Sequence, residues 1–221
     1  MSERPLISAF GWVPDFAKGR VRDLRVRWAF EELGLAYDTK LLDASTPRGE
    51  DYVSWQPFDQ VPAYRDDEVE LFESGAILLY LAEKHGKLLP ADPQGRWTAI
   101  AWCFAALNSV EPQIFRPTMM RVFHAGEDWS QAASEASKPL ARKRYQRLAD
   151  ALGGKDWLAG EFSIADILIT TAFKTEDEGL IDEFPALVDY RDRAYARPAY
   201  QRALDAQCAD FAPTPDQIRG E

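Results

Sequence analysis

The sequence predicts an α/β domain followed by an all-helical domain. Three observations carry that expectation. Short β-prone runs alternate with helical patterning up to about residue 86. A segment rich in proline and glycine, residues 88–95, comes next. Every periodic stretch beyond it has helical spacing. The expected domains are 1–86 and 94–208, with 209–221 a tail carrying Pro213 and Pro215. A chain of 221 residues can give each of two modest domains a real core.

Residues 6–10 are a short apolar run and read as a buried first strand. Residues 11–18, with Pro14 inside and Gly19 after them, read as an irregular loop. From about Val21 the spacing turns helical. Val26, Ala29, Phe30 and Leu33 share one face, Glu31 and Glu32 lie on a solvated face, and Gly34 ends the helix. Residues 37–42 read as a second strand, so this strand–helix–strand unit should cross over right-handed and pair in parallel. Residues 46–55 read as a short irregular helix or loop. Residues 63–65 and 69–72 are β-prone, and Asp66-Asp67 between them marks a hairpin. Pro62 opens the first of these strands, where a cis X-Pro bond would sit in a tight bend. Ser74 is a good helix N-cap, and Glu73 sets a carboxylate beside the positive end of that helix. Ile77, Tyr80, Leu81 and the stem of Lys84 continue at helical spacing to the stop at Gly86.

Past the linker, Trp97, Ile100, Ala101, Phe104, Leu107 and Val110 start a long apolar stripe, which Pro112 and Pro117 should bend or end. Residues 139–152 form a basic amphipathic helix closed by Gly153-Gly154. Ser163 caps the next helix and Asp166 reaches back to it, which makes Asp166 a folding residue. That helix, about 164–173, is nearly all apolar and should be buried. Residues 185–195 and 198–206 supply the last helices.

Composition narrows the function. A net charge of −10 argues against nucleic acid and anionic membrane as partners. No apolar run is long enough to span a bilayer and no charged-then-apolar leader opens the sequence, so the expected location is the cytoplasm. Cys103 and Cys208 form no Cys-x-x-Cys pair. His85 and His124 are too few for a His-rich site, and no metal is expected. Lys18, Arg20, Arg22, Arg25 and Arg27 crowd into ten residues.

Gln60-Val61-Pro62 before the hairpin and Glu73-Ser74 at the helix start closely resemble, in their order and spacing, the glutathione transferase family. The resemblance is strong over 21–86, and the Ser163–Asp166 motif extends it to the second half. It implies a thioredoxin-like domain followed by a helical one, a homodimer, and glutathione as co-substrate. It also implies that Val61, before a cis Pro62, pairs its backbone with the cysteinyl part of glutathione. Glu73 and Ser74, helped by Gln60, would hold the γ-glutamyl end, where exposed N–H groups at a helix start suit a carboxylate. Taken singly, Val61-Pro62 is an ordinary strand start and Ser74 an ordinary cap; their joint spacing favours the family reading.

In that family the glutathione thiolate is the nucleophile, and the protein lowers the thiol pKa with a hydrogen bond or a positive field. Most members place a Tyr, Ser or Cys just after the first strand. Here no Ser, Thr, Tyr or Cys occurs from Phe10 to Arg25. Two explanations stay open. In one, activation falls to Arg20, where loop meets helix, to the indole N–H of Trp12, or to backbone N–H groups near residues 20–22. Arg20 serves equally well as a solvated residue, and Arg25 and Arg27 read as solvated helix face. In the other, the protein binds glutathione with little turnover, or reduces mixed disulfides with glutathione's own thiol. Cys103, on an apolar stripe, reads as core. The resemblance places a second substrate against Asn108, Arg116 and Met119, with Phe16 and Trp12 opposite, while Met120 and Phe123 read as core. The implied reaction conjugates glutathione to a hydrophobic electrophile, a detoxification chemistry.

Overall fold

A computed structural model describes residues 4–176 and 178–212. These divide into two compact units, one of residues 4–85 with 197–212 and one of residues 86–196.

The first unit is a thioredoxin-like α/β domain. Its chain order is β1 (Leu6–Trp12), α1 (Asp23–Leu33), β2 (Asp38–Asp43), α2 (Glu50–Trp55), β3 (Ala63–Arg65), β4 (Glu70–Phe72) and α3 (Ser74–His85). The sheet runs β2-β1-β3-β4. β1 and β2 are parallel, from Leu6 opposite Asp38 to Phe10 opposite Leu42. β3 lies antiparallel to β1, and β4 antiparallel to β3. Ile7 and Ala9 of the sheet and Val26, Phe30, Ile77, Leu78 and Leu81 of α1 and α3 are fully buried, so the apolar stripes read from the sequence face inward.

Several boundaries differ from the expectation. β1 continues to Trp12, and the loop after it contains a single 3-10 turn, Asp15–Ala17. Residues 50–55 form a regular helix, α2. Ser74 is not the cap of α3: it is the first helical residue, and the carbonyl of Glu73 before it accepts the Ile77 N–H at 3.0 Å.

The larger correction concerns α1. Arg25 and Arg27 are each 1% exposed, not a solvated face. A further helix, α9 (Pro198–Ala209), belongs to this unit and packs along α1. Arg27 binds Asp23 at 2.7 Å and Asp210, just past α9, at 2.6 Å. Glu32 takes both arms of Arg197, at 2.6 and 2.8 Å, and Glu31 takes Arg202 at 2.6 Å. These carboxylates look solvated within their own helix; their partners lie more than 160 residues away.

The second unit is helical. It holds α4 (Pro93–Ala105), a π-helical turn (Ala106–Val110), α5 (Glu111–Phe123), α6 (Ser130–Leu152), α7 (Ile164–Phe173), a 3-10 turn (Leu180–Glu183) and α8 (Pro185–Tyr195). All ten residues of α7 are buried, and Ser163 with Asp166 forms its capping box. Asp166 also accepts the Leu158 N–H and the Tyr190 hydroxyl. Asp92 caps α4 at the Gly95 N–H (2.8 Å), so the helix begins inside the expected linker. Pro112 lacks the N–H that would close a turn onto Asn108, and the helix widens to π spacing just before it without ending. α6 starts at Ser130, well before residue 139, and carries Pro139 internally. The α9 helix reaches Ala209, and the expected tail from residue 213 lies outside the described residues.

Candidate functional site

Strand register brings three segments to one end of the first sheet. Ala63 pairs with Phe72, so Pro62, just before β3, and Glu73, just after β4, flank the same rung. Ile7 pairs with Tyr64 on the antiparallel neighbour, so β1 runs toward that same end and finishes there at Trp12. The first turn of α1 joins them through Arg25, whose Nη1 donates to Ser74 Oγ at 3.2 Å.

The Val61–Pro62 peptide is cis. A buried network holds the turn that carries it. Gln56 Oε1 accepts the N–H groups of Phe58 (2.7 Å) and Gln60 (3.2 Å). Tyr52 donates its hydroxyl hydrogen to the Gln60 carbonyl at 2.5 Å. With that hydrogen committed, Ser8 is the donor in the 2.7 Å bond between the two hydroxyls. Ser8 Oγ in turn accepts the Ala63 N–H at 2.7 Å. Gln60 itself is exposed. The Val61 N–H and C=O have no backbone partner among the described residues, which leaves them able to pair with an extended peptide.

Glu73 is exposed and has a φ of +69°, a conformation that costs a side chain with a Cβ about 1–2 kcal/mol. It immediately precedes α3, whose first residue, Ser74, is buried against Arg25. A guanidinium keeps its charge under all ordinary conditions, so it and the N–H groups of the first turn of α3 together favour an anion there.

At the end of β1, Trp12 is half-buried and pairs with Asp43 in register. Arg20 is exposed in the turn before α1, and its backbone N–H donates to the Ala17 carbonyl at 3.0 Å, which removes that amide from the donors available to a thiol. Burial holds the carboxyl of Asp23 above the usual carboxylate range, against the opposing charge of Arg27. Phe16 is 57% exposed on the 3-10 turn.

The remaining expected site residues belong to the second unit. Asn108 is exposed in the π turn, Arg116 is exposed on α5, and Met119 and Met120 are half-buried. Phe123 is 63% exposed and meets Phe115 edge-on, which corrects its reading as core. Cys103 is buried, and burial pushes its thiol up to about 12.

Sequence reasoning missed Arg25, Tyr52, Gln56 and Arg48. Arg48 donates to the Asp43 carbonyl at 2.9 Å and also to that of Thr46, stacks over the Phe10 ring at 5.1 Å, and stands 3.6 Å from Asp59 beside the cis turn. None of the four sits in a motif; the Arg25–Ser74 and Tyr52–Ser8 contacts are distant in the chain, while Gln56 and Arg48 act within the stretch before β3. Among the described residues, no group of three or more His, Cys, Asp or Glu could hold a metal ion.

Residues 17–83 match the glutathione S-transferase N-terminal domain, and residues 107–198 match the C-terminal domain. Over 156 residues the chain is 33% identical to the disulfide-bond oxidoreductase YfcG of Escherichia coli K12, covering 69% of this chain and 72% of that protein. A glutathione transferase from Pseudomonas putida, with one glutathione disulfide bound per subunit, superposes with a TM-score of 0.80 at 26% identity over 91% of each chain. A glutathione transferase family member from Pseudomonas fluorescens Pf-5, with two glutathione bound, superposes with a TM-score of 0.80 at 27% identity over 91% of this chain and 92% of that one.

Proposed function

We propose that this chain, which belongs to the glutathione S-transferase family, binds glutathione at the described end of its first sheet and uses the glutathione thiolate as a nucleophile toward a hydrophobic electrophile. One observation carries this reading. The register that places Val61-Pro62 and Glu73-Ser74 side by side beyond the Ala63–Phe72 rung also ends β1 beside them. An extended tripeptide can then pair with the Val61 backbone while its γ-glutamyl ammonium meets Glu73 and its α-carboxylate meets Ser74 and the head of α3. Its thiol would lie toward Trp12 and Arg20, the donors we assign to thiolate stabilisation. For the electrophile we assign Asn108, Arg116 and Met119 of the second unit. We read the working form as a cytoplasmic homodimer, as in the family resemblance.

A second reading is glutathione-dependent reduction of disulfides. The 33% identity to a disulfide-bond oxidoreductase favours it, as does the glutathione disulfide bound by the P. putida protein. Here the bound thiolate attacks one sulfur of a disulfide and expels the other as a thiolate, so no protein thiol is needed.

The test is the ultraviolet absorbance of glutathione thiolate, titrated with the protein present. The expected result is a bound thiol with a pKa well below that of the free tripeptide. Binding with an unshifted thiol would point to a binder with little turnover, and no binding would overturn the proposal. Rates with an aromatic electrophile and with a small alkyl disulfide then separate the two readings.

A further inference from the structure

The segment that follows Trp12 and leads to α1 carries Arg20, yet its internal order is limited to one 3-10 turn and the turn bond from Arg20 to Ala17. It is held from outside, by the end of the chain. Just before it, the Ala212 N–H donates to the Gly11 carbonyl at 2.7 Å. In its middle, Gly19 sits at a φ of +72°, and a Cβ there would stand 3.0 Å from Leu204 Cδ1 of α9. At its end, Gln207 Nε2 donates to the Val21 carbonyl at 3.1 Å and to Asp23 Oδ1 at 2.7 Å. The other oxygen of Asp23 is held by Arg27, which also binds Asp210.

Gln207 is 1% exposed, and its Oε1 is buried with no hydrogen-bond partner among the described residues. An unmet buried acceptor is costly, and an apolar side chain would fill the same space without that cost. What the amide contributes is therefore its two donated bonds. Their consequence follows from peptide planarity. The C=O and N–H of a trans peptide point in opposite directions, so tying the Val21 carbonyl to α9 turns the Arg22 N–H away from α9. The Ala212 bond to Gly11 turns the Trp12 N–H in the same way.

We propose that Gln207 is a positioning residue for thiol activation: from α9 it fixes the Val21 peptide and Asp23, and so sets the turn that presents Arg20 and the start of α1 to the glutathione thiol. This rests on the glutathione reading above, and the C-terminal helix becomes part of the active-site machinery without touching substrate.

The experiment uses the full-length chain with Gln207→Met, Leu204→Ala, and Arg202→Gln as a control that removes an α9–α1 clasp remote from the loop. Two readouts are taken: amide hydrogen exchange of residues 11–22, and the pKa of bound glutathione by thiolate absorbance. Gln207→Met should speed exchange in that segment about tenfold or more. It should also raise the bound thiol pKa by about half a unit, a roughly threefold fall in the thiolate-to-thiol ratio at a given pH, while glutathione affinity changes less than about twofold. Arg202→Gln should change neither readout. An unshifted thiol pKa in Gln207→Met, or an equal shift in Arg202→Gln, would overturn the proposal. If Gln207→Met does not fold, Leu204→Ala carries the same two expectations. A wild-type chain that binds no glutathione removes the proposed function and the thiol part of this inference together, and unchanged exchange in the variants removes by itself the hold of α9 on this segment.

Discussion

Arg25 donates to the Ser74 hydroxyl at 3.2 Å from a position only 1% exposed. The pair links the first turn of α1 to the head of α3, and it places a permanent charge behind the residue proposed to receive the γ-glutamyl carboxylate. Arg25→Met should weaken glutathione binding by about 1–3 kcal/mol, because a charged partner of the anion site is lost. A glutathione amidated at that carboxyl should lose far less. Calorimetry with both ligands checks this, and equal losses for the two would show that Arg25 serves folding alone. Arg25→Met with Ser74→Ala should cost less than the sum of the single changes, since the two residues act through one contact.

Glu73 offers a test of whether strain is kept for binding. Its φ of +69° suits glycine far better than glutamate. Glu73→Gly should raise folding stability by up to about 1 kcal/mol, while glutathione affinity drops by about 1–3 kcal/mol as the ligand's ammonium loses its carboxylate. Denaturant midpoints and calorimetry on the same sample decide. A variant that loses both stability and affinity would show that Glu73 is needed for the turn itself.

The turns around this proposed site were legible locally. Val61-Pro62, Asp66-Asp67 and Glu73-Ser74 are short motifs whose conformations depend on neighbours a few residues away, and the Ser163–Asp166 box is of the same kind. The same locality misled at α1. Helical spacing alone put Arg25, Arg27, Glu31 and Glu32 on a wet face, because nothing in residues 21–34 announces that α9 will cover it. Ser8 and Tyr52 were equally hidden, 44 residues apart yet sharing one hydrogen bond beneath the cis turn. Helix ends failed where proline was tolerated: Pro112 shifts the ladder to π spacing instead of ending it, and Pro139 lies inside α6.

Asp66 should dominate the acid sensitivity of the first unit. Its carboxylate accepts Lys84 Nζ at 2.8 Å, the hydroxyls of Tyr64 and Tyr80 at 2.7 and 2.8 Å, and the N–H groups of Glu68 and Val69. Burial acts to raise its pKa, but the bonds from Lys84, Tyr64 and the backbone outweigh it and hold the group well below the usual carboxylate range. The unfolded chain then binds the proton more readily, so this stabilisation is present above the unfolded pKa and is lost as pH falls toward the folded one. Asp66→Asn should cost about 2 kcal/mol near neutrality, and the gap from wild type should narrow below about pH 4. Denaturant unfolding at pH 7 and pH 3 gives the comparison; a gap that is constant with pH would show that the carboxylate's charge contributes nothing.

The two cysteines should behave as opposites. Cys208 is exposed on α9, whereas Cys103 is buried in α4 with its thiol pushed up to about 12, first by burial and then by the charge of Asp166. At pH 8 only about one Cys103 in ten thousand would be a thiolate even if it were reachable. A disulfide reagent should therefore titrate one thiol in the native protein and a second only on unfolding. The functional corollary is sharper. In both readings the nucleophile is the ligand's sulfur, so Cys208→Ser should retain glutathione-dependent turnover with an aromatic electrophile and with an alkyl disulfide alike. Loss of disulfide reduction alone in that variant would move the nucleophile from glutathione to the protein.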